Sequence, residues 1–242
     1  AMMVPTVAFA ATSSPAKVDV KSATAKSLTY NAKSQTTTIV VNGKTLTLNK
    51  DFKVVSGSLK ATKAGTYTVK IKGIGNYSGD TTVKYTVNAQ QSYKATAAAK
   101  TYNAKNQTTK VTVKYGNTVL KRGTDYKITG VTKAKNAGKY KITVKGINNY
   151  KGTKTIYYTI NKAAQKSVKV KVNASKKKIT VSGVKAKAKV TYKSANKKVK
   201  VKNGKITVGK GVKKGTKVRI TVKVAATKNY KAYSKSIIYK VK

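Results

Sequence analysis

Residues 64–79 read Ala64-Gly65-Thr66-Tyr67-Thr68-Val69-Lys70-Ile71-Lys72-Gly73-Ile74-Gly75-Asn76-Tyr77-Ser78-Gly79, a strand pattern that ends in a glycine-rich turn. Between Thr68 and Lys72 apolar and polar side chains alternate. An extended strand therefore turns Val69 and Ile71 to one face and Thr68, Lys70 and Lys72 to the other. The stretch then returns farther along the chain. Ala64-Gly65-Thr66-Tyr67 reappears as Ala137-Gly138-Lys139-Tyr140, and Gly73–Gly79 reappears as Gly146-Ile147-Asn148-Asn149-Tyr150-Lys151-Gly152. On its N-terminal side, Tyr30-Asn31-Ala32-Lys33 returns as Tyr102-Asn103-Ala104-Lys105, and Asp51-Phe52-Lys53-Val54 as Asp125-Tyr126-Lys127-Ile128. Four landmarks in one order, at offsets of 72 to 74 residues, define two units with a period near 73. A third unit is a more distant relative. Gly215-Thr216-Lys217-Val218-Arg219-Ile220-Thr221-Val222 echoes the strand after each Ala-Gly, Asn229-Tyr230-Lys231 echoes the Asn-Tyr ending, and the Asp is missing.

The same alternation runs through Lys110–Lys114, Val168–Val172 and Lys198–Lys202. Asn42-Gly43 and Asn203-Gly204 sit between such runs, and Asn-Gly favours the positive φ values of a two-residue hairpin turn. No long stretch has helical periodicity. The expected fold is all-β, as three tandem small antiparallel β-sandwich domains over 17–88, 89–162 and 163–242. Their junctions fall near Asn88–Ser92 and Asn161–Gln165. Residues 1–16 read as an N-terminal segment carrying a signal-peptide remnant: Ala8-Phe9-Ala10 has the small-x-small form of a cleavage site behind a short apolar run. A short apolar strand or a cloning remnant is the alternative. Nothing approaches the ~18 continuous apolar residues of a membrane span, so no transmembrane segment is expected.

The Tyr-Asn-Ala-Lys opening, the Asp-Phe/Tyr-Lys-Val/Ile strand, the Ala-Gly-x-Tyr turn and the Gly-x-x-Asn-Tyr-x-Gly ending make the first two units resemble bacterial Ig-like surface-protein repeats of the MBG type. The third, with Val190-Thr191-Tyr192-Lys193-Ser194-Ala195-Asn196 ahead of Val201-Lys202-Asn203-Gly204-Lys205-Ile206 and then Gly215-Thr216, resembles a group-2-type bacterial Ig-like domain. The resemblance implies Ig-like sandwiches in a secreted, extracellular, cell-surface-associated bacterial protein, serving as spacer, stalk or adhesive module. It implies no shared catalytic residues, and function has to come from a site grafted on the fold. The chain departs from those repeats in charge, since Lys stands where mixed or acidic surfaces are usual.

Composition removes most chemistry. Cys, His and Glu are absent, so disulfides, thiolate nucleophiles, Ser-His pairs and structural zinc drop out. No cofactor and no enzymatic activity are expected. Of the four acids, Asp51 and Asp125 occupy equivalent positions. Each either accepts backbone or Tyr hydrogen bonds at a strand start or assists a Lys–Asn isopeptide bond, which would release one ammonia. Among the 16 tyrosines, Tyr67, Tyr77, Tyr140 and Tyr150 recur, and Tyr230 matches the last of them. Their expected role is core packing with the hydroxyl at the rim, against the alternative of base stacking.

Charge is the functional signal. Lys and Arg number 54 against 4 acids, a formal net charge of +50, and only Arg122 and Arg219 are arginines. A solvated surface needs no ban on Glu, and one-signed charge opposes the compact state. The net charge rises from +9 over 17–88 to +15 over 89–162 and +26 over 163–242. In the last segment Lys176, Lys177, Lys178, Lys197, Lys198, Lys213 and Lys214 cluster at expected turns, and Lys200, Lys202, Lys217 and Arg219 lie on strand faces. These residues are the candidate binding set. Lys is a mobile point charge where Arg is a planar fork, so the composition favours diffuse neutralisation of phosphate, sulfate or carboxylate over base-specific readout. Expected partners are anionic polysaccharide, teichoic acid or a nucleic-acid backbone, bound non-specifically, with self-association as a further partner. A structural stalk or filament subunit is the alternative function, and a membrane-disrupting polycation a weaker one, as no amphipathic helix is evident.

Overall fold

The structure is a computed structural model describing residues 1–10 and 13–242. Among the described residues it consists of β-strands and two 3-10 turns, with no α-helix, and no helix is long and apolar enough to cross a membrane. The fold class read from the sequence is the one found: all-β, in tandem small β-sandwiches. Residues 1–10 form no strand, and Met3 and Phe9 are 99% and 93% exposed. The cleavage position expected after Ala10 abuts Ala11 and Thr12, which lie outside the described residues. The chain divides into two compact units. One comprises Ala1–Tyr93 with Leu120–Lys127 and Lys145–Thr153. The other comprises Lys94–Val119, Ile128–Val144 and Lys154–Lys242, so the second sequence repeat contributes to both.

In the first unit, the alternating stretch quoted above becomes the strand Gly65–Gly73, flanked by Asp80–Asn88 and Phe52–Ser56 in antiparallel register. Val69 faces Val83, and Ile71 faces Val54 and Thr81 across the ladders. The outer edge departs from a purely antiparallel sheet. Leu28–Thr29 runs parallel to Val87 and Asn88, which joins the start of the repeat to its end. A second small sheet, Thr24–Ala25 with Ile39–Val41 and Lys44–Thr45, covers the other side. Asn42 and Gly43, both left-handed at φ 49 and 78, make its tight turn as expected. Between the sheets lie Val20, Ile39, Val41, Phe52, Val69, Ile71, Val83, Tyr85 and Val87. At roughly 1.5–3 kcal/mol per fully buried Val, Ile or Phe side chain, this cluster is what offsets the entropy of ordering the repeat.

The second unit contains a core made by the last segment of the chain. Its four-stranded sheet has the order Lys169–Asn173, Lys178–Ser182, Lys205–Val208, Val199–Lys202, all antiparallel. The facing sheet joins Val190–Ser194, Lys217–Val224 and Tyr233–Lys240. Ile179, Val199, Ile206, Val218, Ile220, Val222 and Tyr239 fill the space between them. The buried Gln165 clamps the connection. It accepts a hydrogen bond from the Lys185 N–H and donates one to the Lys185 carbonyl, so both ends of its amide are satisfied.

Candidate functional site

The inward turn of Ile179, Val199, Val201 and Ile206 forces their neighbours outward. Lys169, Lys171, Lys178, Lys200, Lys202 and Lys205 therefore share the outer face of the four-stranded sheet, and all are exposed. The Asn203-Gly204 turn, with φ 49 and 82, places Lys202 directly opposite Lys205. The next ladder places Lys205 opposite Lys178. Three lysines on three adjacent strands thus form one row, spaced about 5 Å from strand to strand. Like charges directly opposite each other destabilise a sheet, and no Asp or Glu occurs in residues 163–242 to relieve them.

The first unit shows what an ordinary row looks like. Lys53 faces Lys72, and Lys72 faces Asp80, so an acid closes the row. Lys94–Lys114 and Lys217–Lys240 are like-charged pairs as well, but neither ladder extends to a third lysine.

The turns carrying the remaining lysines are pinned by local hydrogen bonds. Asn173 Oδ1 accepts from the Lys176 N–H in the four-residue loop that leads to Lys178, and Lys177 takes up left-handed φ 49. Asn196 Oδ1 accepts from the Lys198 N–H, and the Lys198 carbonyl accepts from the Gly209 N–H. Thr216 Oγ1 donates to the Lys213 carbonyl. Beside Lys193, Lys197 and Lys200 lies an open depression of about 390 Å³ that also touches Tyr192 and Asn196. Burial raises the Tyr192 phenol above its ordinary pKa, so it presents a neutral hydroxyl.

All eleven candidate cations are exposed, and they divide between two faces. Lys178, Lys200 and Lys202 lie on the four-stranded sheet, with Lys176 and Lys177 at its hairpin and Lys197 and Lys198 at its entry. Lys217 and Arg219 alternate with the buried Val218 and Ile220, so they point outward from the other sheet. There they share a face with Thr221, Ser236 and Ile238. Lys213 and Lys214 occupy the turn before that strand. Lys169, Lys171 and Lys205 were not among the candidates. The Asn-Gly turn was the signal that could have found Lys205, because a two-residue hairpin fixes which residues face each other.

Among the other singled-out residues, Asp51 Oδ2 accepts from the Thr47 N–H and Asp125 Oδ2 from the Lys121 N–H, both at 2.7 Å. Each carboxylate closes the turn before its strand. Tyr77 and Tyr150 are buried and Tyr230 half-buried. Tyr150 packs edge-on against Tyr30, with centroids 5.4 Å apart, and Tyr230 against Tyr102 at 5.5 Å. Tyr67 stacks on Tyr85 and Tyr140 on Tyr158. Among the described residues no group of three or more His, Cys, Asp or Glu could hold a metal ion.

No family profile and no curated protein matches the chain. Among solved structures, the chain is similar to extracellular domains 3–5 of Drosophila OTK at 8% identity and a TM-score of 0.31, covering 95% of this chain and 98% of that one. It is similar to the three N-terminal domains of the highly immunogenic outer capsid protein of bacteriophage RB49 at 13% identity and a TM-score of 0.30, covering 91% and 97%. Immunoglobulin domains 1–5 of Sidekick-1 match at 12% identity and a TM-score of 0.26, covering 92% of this chain and 58% of that one.

Proposed function

We propose that the protein is a non-enzymatic, secreted bacterial surface module that adheres to anionic polymers through its lysine-rich sandwich faces. In this reading it comprises three domains, 17–88, 89–162 and 163–242, the first two of MBG type and the last of group-2 Ig-like type. The partner class is polymeric phosphate, sulfate or carboxylate: wall teichoic acid, acidic or sulfated glycan, or extracellular DNA. The observation that carries the reading is the row Lys178–Lys205–Lys202, in register on three strands of a segment without acids. A surface held in mutual repulsion stabilises any polyanion that neutralises it, and binding releases counterions.

The test is titration with heparin, a sulfated polysaccharide, at several salt concentrations. Replacing Lys178, Lys202 and Lys205 by Thr should lower the affinity more than replacing Lys33, Lys44 and Lys50, which removes the same charge from exposed sites of the first repeat. Equal losses would sink the assignment to this row. Undiminished binding in ~1 M salt, where the screening length is near 3 Å, would sink the electrostatic reading altogether.

A stalk or filament subunit is the second reading. It is favoured by the charged sheet edges Lys169–Asn173 and Val199–Lys202, since edge lysines block strand addition and keep chains apart. Absence of heparin binding at low salt would favour it.

A further inference from the structure

The Asn-Tyr ending of each repeat does two things. Its backbone always receives the opening of its own repeat: Gln90 N–H donates to the Asn149 carbonyl, Ala163 N–H to the Asn229 carbonyl, and Val18 N–H to the Asn76 carbonyl. In two of the three cases the asparagine side chain also reaches the repeat before it. Asn149 Oδ1 accepts from the Ala64 N–H at 2.9 Å, and Asn229 Oδ1 accepts from the Ala137 N–H at 2.8 Å. Beside each bond the adjacent tyrosine sets its ring edge-on to the tyrosine of the preceding Tyr-Asn-Ala-Lys. The same plug, Asn-Tyr, therefore enters the same socket, an Ala-Gly amide beside a Tyr ring, at both junctions.

Asn76 is the third plug. Its backbone is held like the other two, yet it is exposed where Asn149 and Asn229 are half-buried, and its side chain has no hydrogen-bond partner among the described residues. Among the described residues no socket is open to it. Those at Ala64 and Ala137 are filled, and the last segment has none of the type. There Val172-Asn173-Ala174 stands where the others have Tyr-Asn-Ala, and Lys214-Gly215 stands where they have Ala-Gly.

We propose that the surface around Asn76 is a docking site for a further sandwich repeat, one whose Tyr-Asn-Ala-Lys tyrosine and Ala-Gly amide are uncovered. Asn76 Oδ1 accepts the hydrogen bond of that Ala N–H, as Asn149 and Asn229 do. The inference is independent of polyanion binding, because it uses neutral groups. The two proteins of the test below are both cationic, so the contact is sought where salt screens their repulsion.

The experiment uses the natural chain as plug and, as socket, the full chain extended beyond Lys242 by a second copy of residues 89–162. In that copy the residues equivalent to Tyr102 and Ala137 are uncovered. In ~0.3 M salt, where screening is strong, excess natural chain should slow deuterium exchange of the added copy's Ala137 amide by up to about tenfold, the worth of one hydrogen bond. The Asn76→Ala chain should leave it unchanged. As an internal reference, Asn149→Ala in the natural chain should speed exchange at Ala64. Equal exchange with natural and Asn76→Ala chains overturns the proposal, and so does an Asn149→Ala chain in which Ala64 is unaffected. Because the extension could misfold, a second extended chain carries residues 17–88 in its place, and protection absent from both extended chains overturns the proposal.

Discussion

Tyr85 and Tyr158 occupy equivalent places and are almost wholly buried, but their hydroxyls meet different fates. Tyr85 donates to the Ser58 carbonyl at 3.0 Å, whereas the hydroxyls of Tyr158 and Tyr239 are buried without a partner. A buried hydroxyl left unpaired costs about 1–3 kcal/mol, while a made hydrogen bond contributes about 1. Tyr85→Phe should therefore destabilise by about 1 kcal/mol, and Tyr158→Phe and Tyr239→Phe should be neutral or stabilising, measured by denaturant unfolding. The ionisation of these phenols follows the same burial. Burial, and then the neighbouring Tyr67 or Tyr140, holds Tyr85 and Tyr158 above the ordinary tyrosine pKa. Burial raises Tyr93 too, opposed by the hydrogen bond from the Gly146 N–H. Between the ordinary value near 10 and the raised folded values, the folded state keeps protons that the unfolded chain has lost. Stability must therefore fall as pH climbs through that window. A Tyr85→Phe, Tyr158→Phe double variant should show a shallower fall between pH 9 and 11, and its lysines, unchanged from the parent, cancel from the comparison. An identical slope in both proteins would contradict this account.

At the scale of strands and turns, the repulsive row makes a prediction of unusual sign. Lys205 faces a lysine on each side, so Lys205→Thr removes two like-charged contacts and adds a β-branched residue suited to a strand. It should stabilise the protein by a few tenths to about 1 kcal/mol at low ionic strength. The gain should shrink toward zero in ~1 M salt, and a gain that persists there would assign it to β propensity alone. How much of this was legible beforehand follows from the length of each signal. The alternation of Thr68–Lys72, the Asn-Gly turns and the repeat landmarks are local patterns, and they placed the long strands and hairpins. The parallel pairing of Leu28–Thr29 with Val87–Asn88 carries no such mark, because two residues have no period and their partner lies a whole repeat away. The lysine row was half visible. Runs such as Lys176–Lys178 pick out charge adjacent in sequence, whereas a sheet sets Lys178 beside Lys205, which no run contains. The role of Asn149 was hidden by company. Asn-Tyr recurs, but tyrosine burial was enough to explain the recurrence, and the asparagine's bond to Ala64 belongs to tertiary structure.

For the whole molecule, the +50 charge is carried by the unfolded chain as well as the folded one, and this decides how its effects can be measured. Compaction brings the lysines together, so self-repulsion should make the folded protein more stable as salt rises from ~0.01 to ~0.3 M, while screening weakens any polyanion complex over the same range. The two trends have opposite signs and can be separated in one instrument. A polyanion that merely counts charge binds the unfolded chain as well as the folded one, and it leaves the melting temperature where it was or lowers it. A polyanion that uses lysines held in register binds the folded state preferentially and raises the melting temperature by linkage. Calorimetry with a saturating heparin oligosaccharide in ~0.05 M salt should thus show a higher melting temperature for the natural chain. The rise should be smaller for the chain in which Lys178, Lys202 and Lys205 are threonine. An unchanged or lowered temperature for the natural chain would mean that folding organises nothing the polyanion reads, and that charge alone accounts for its binding.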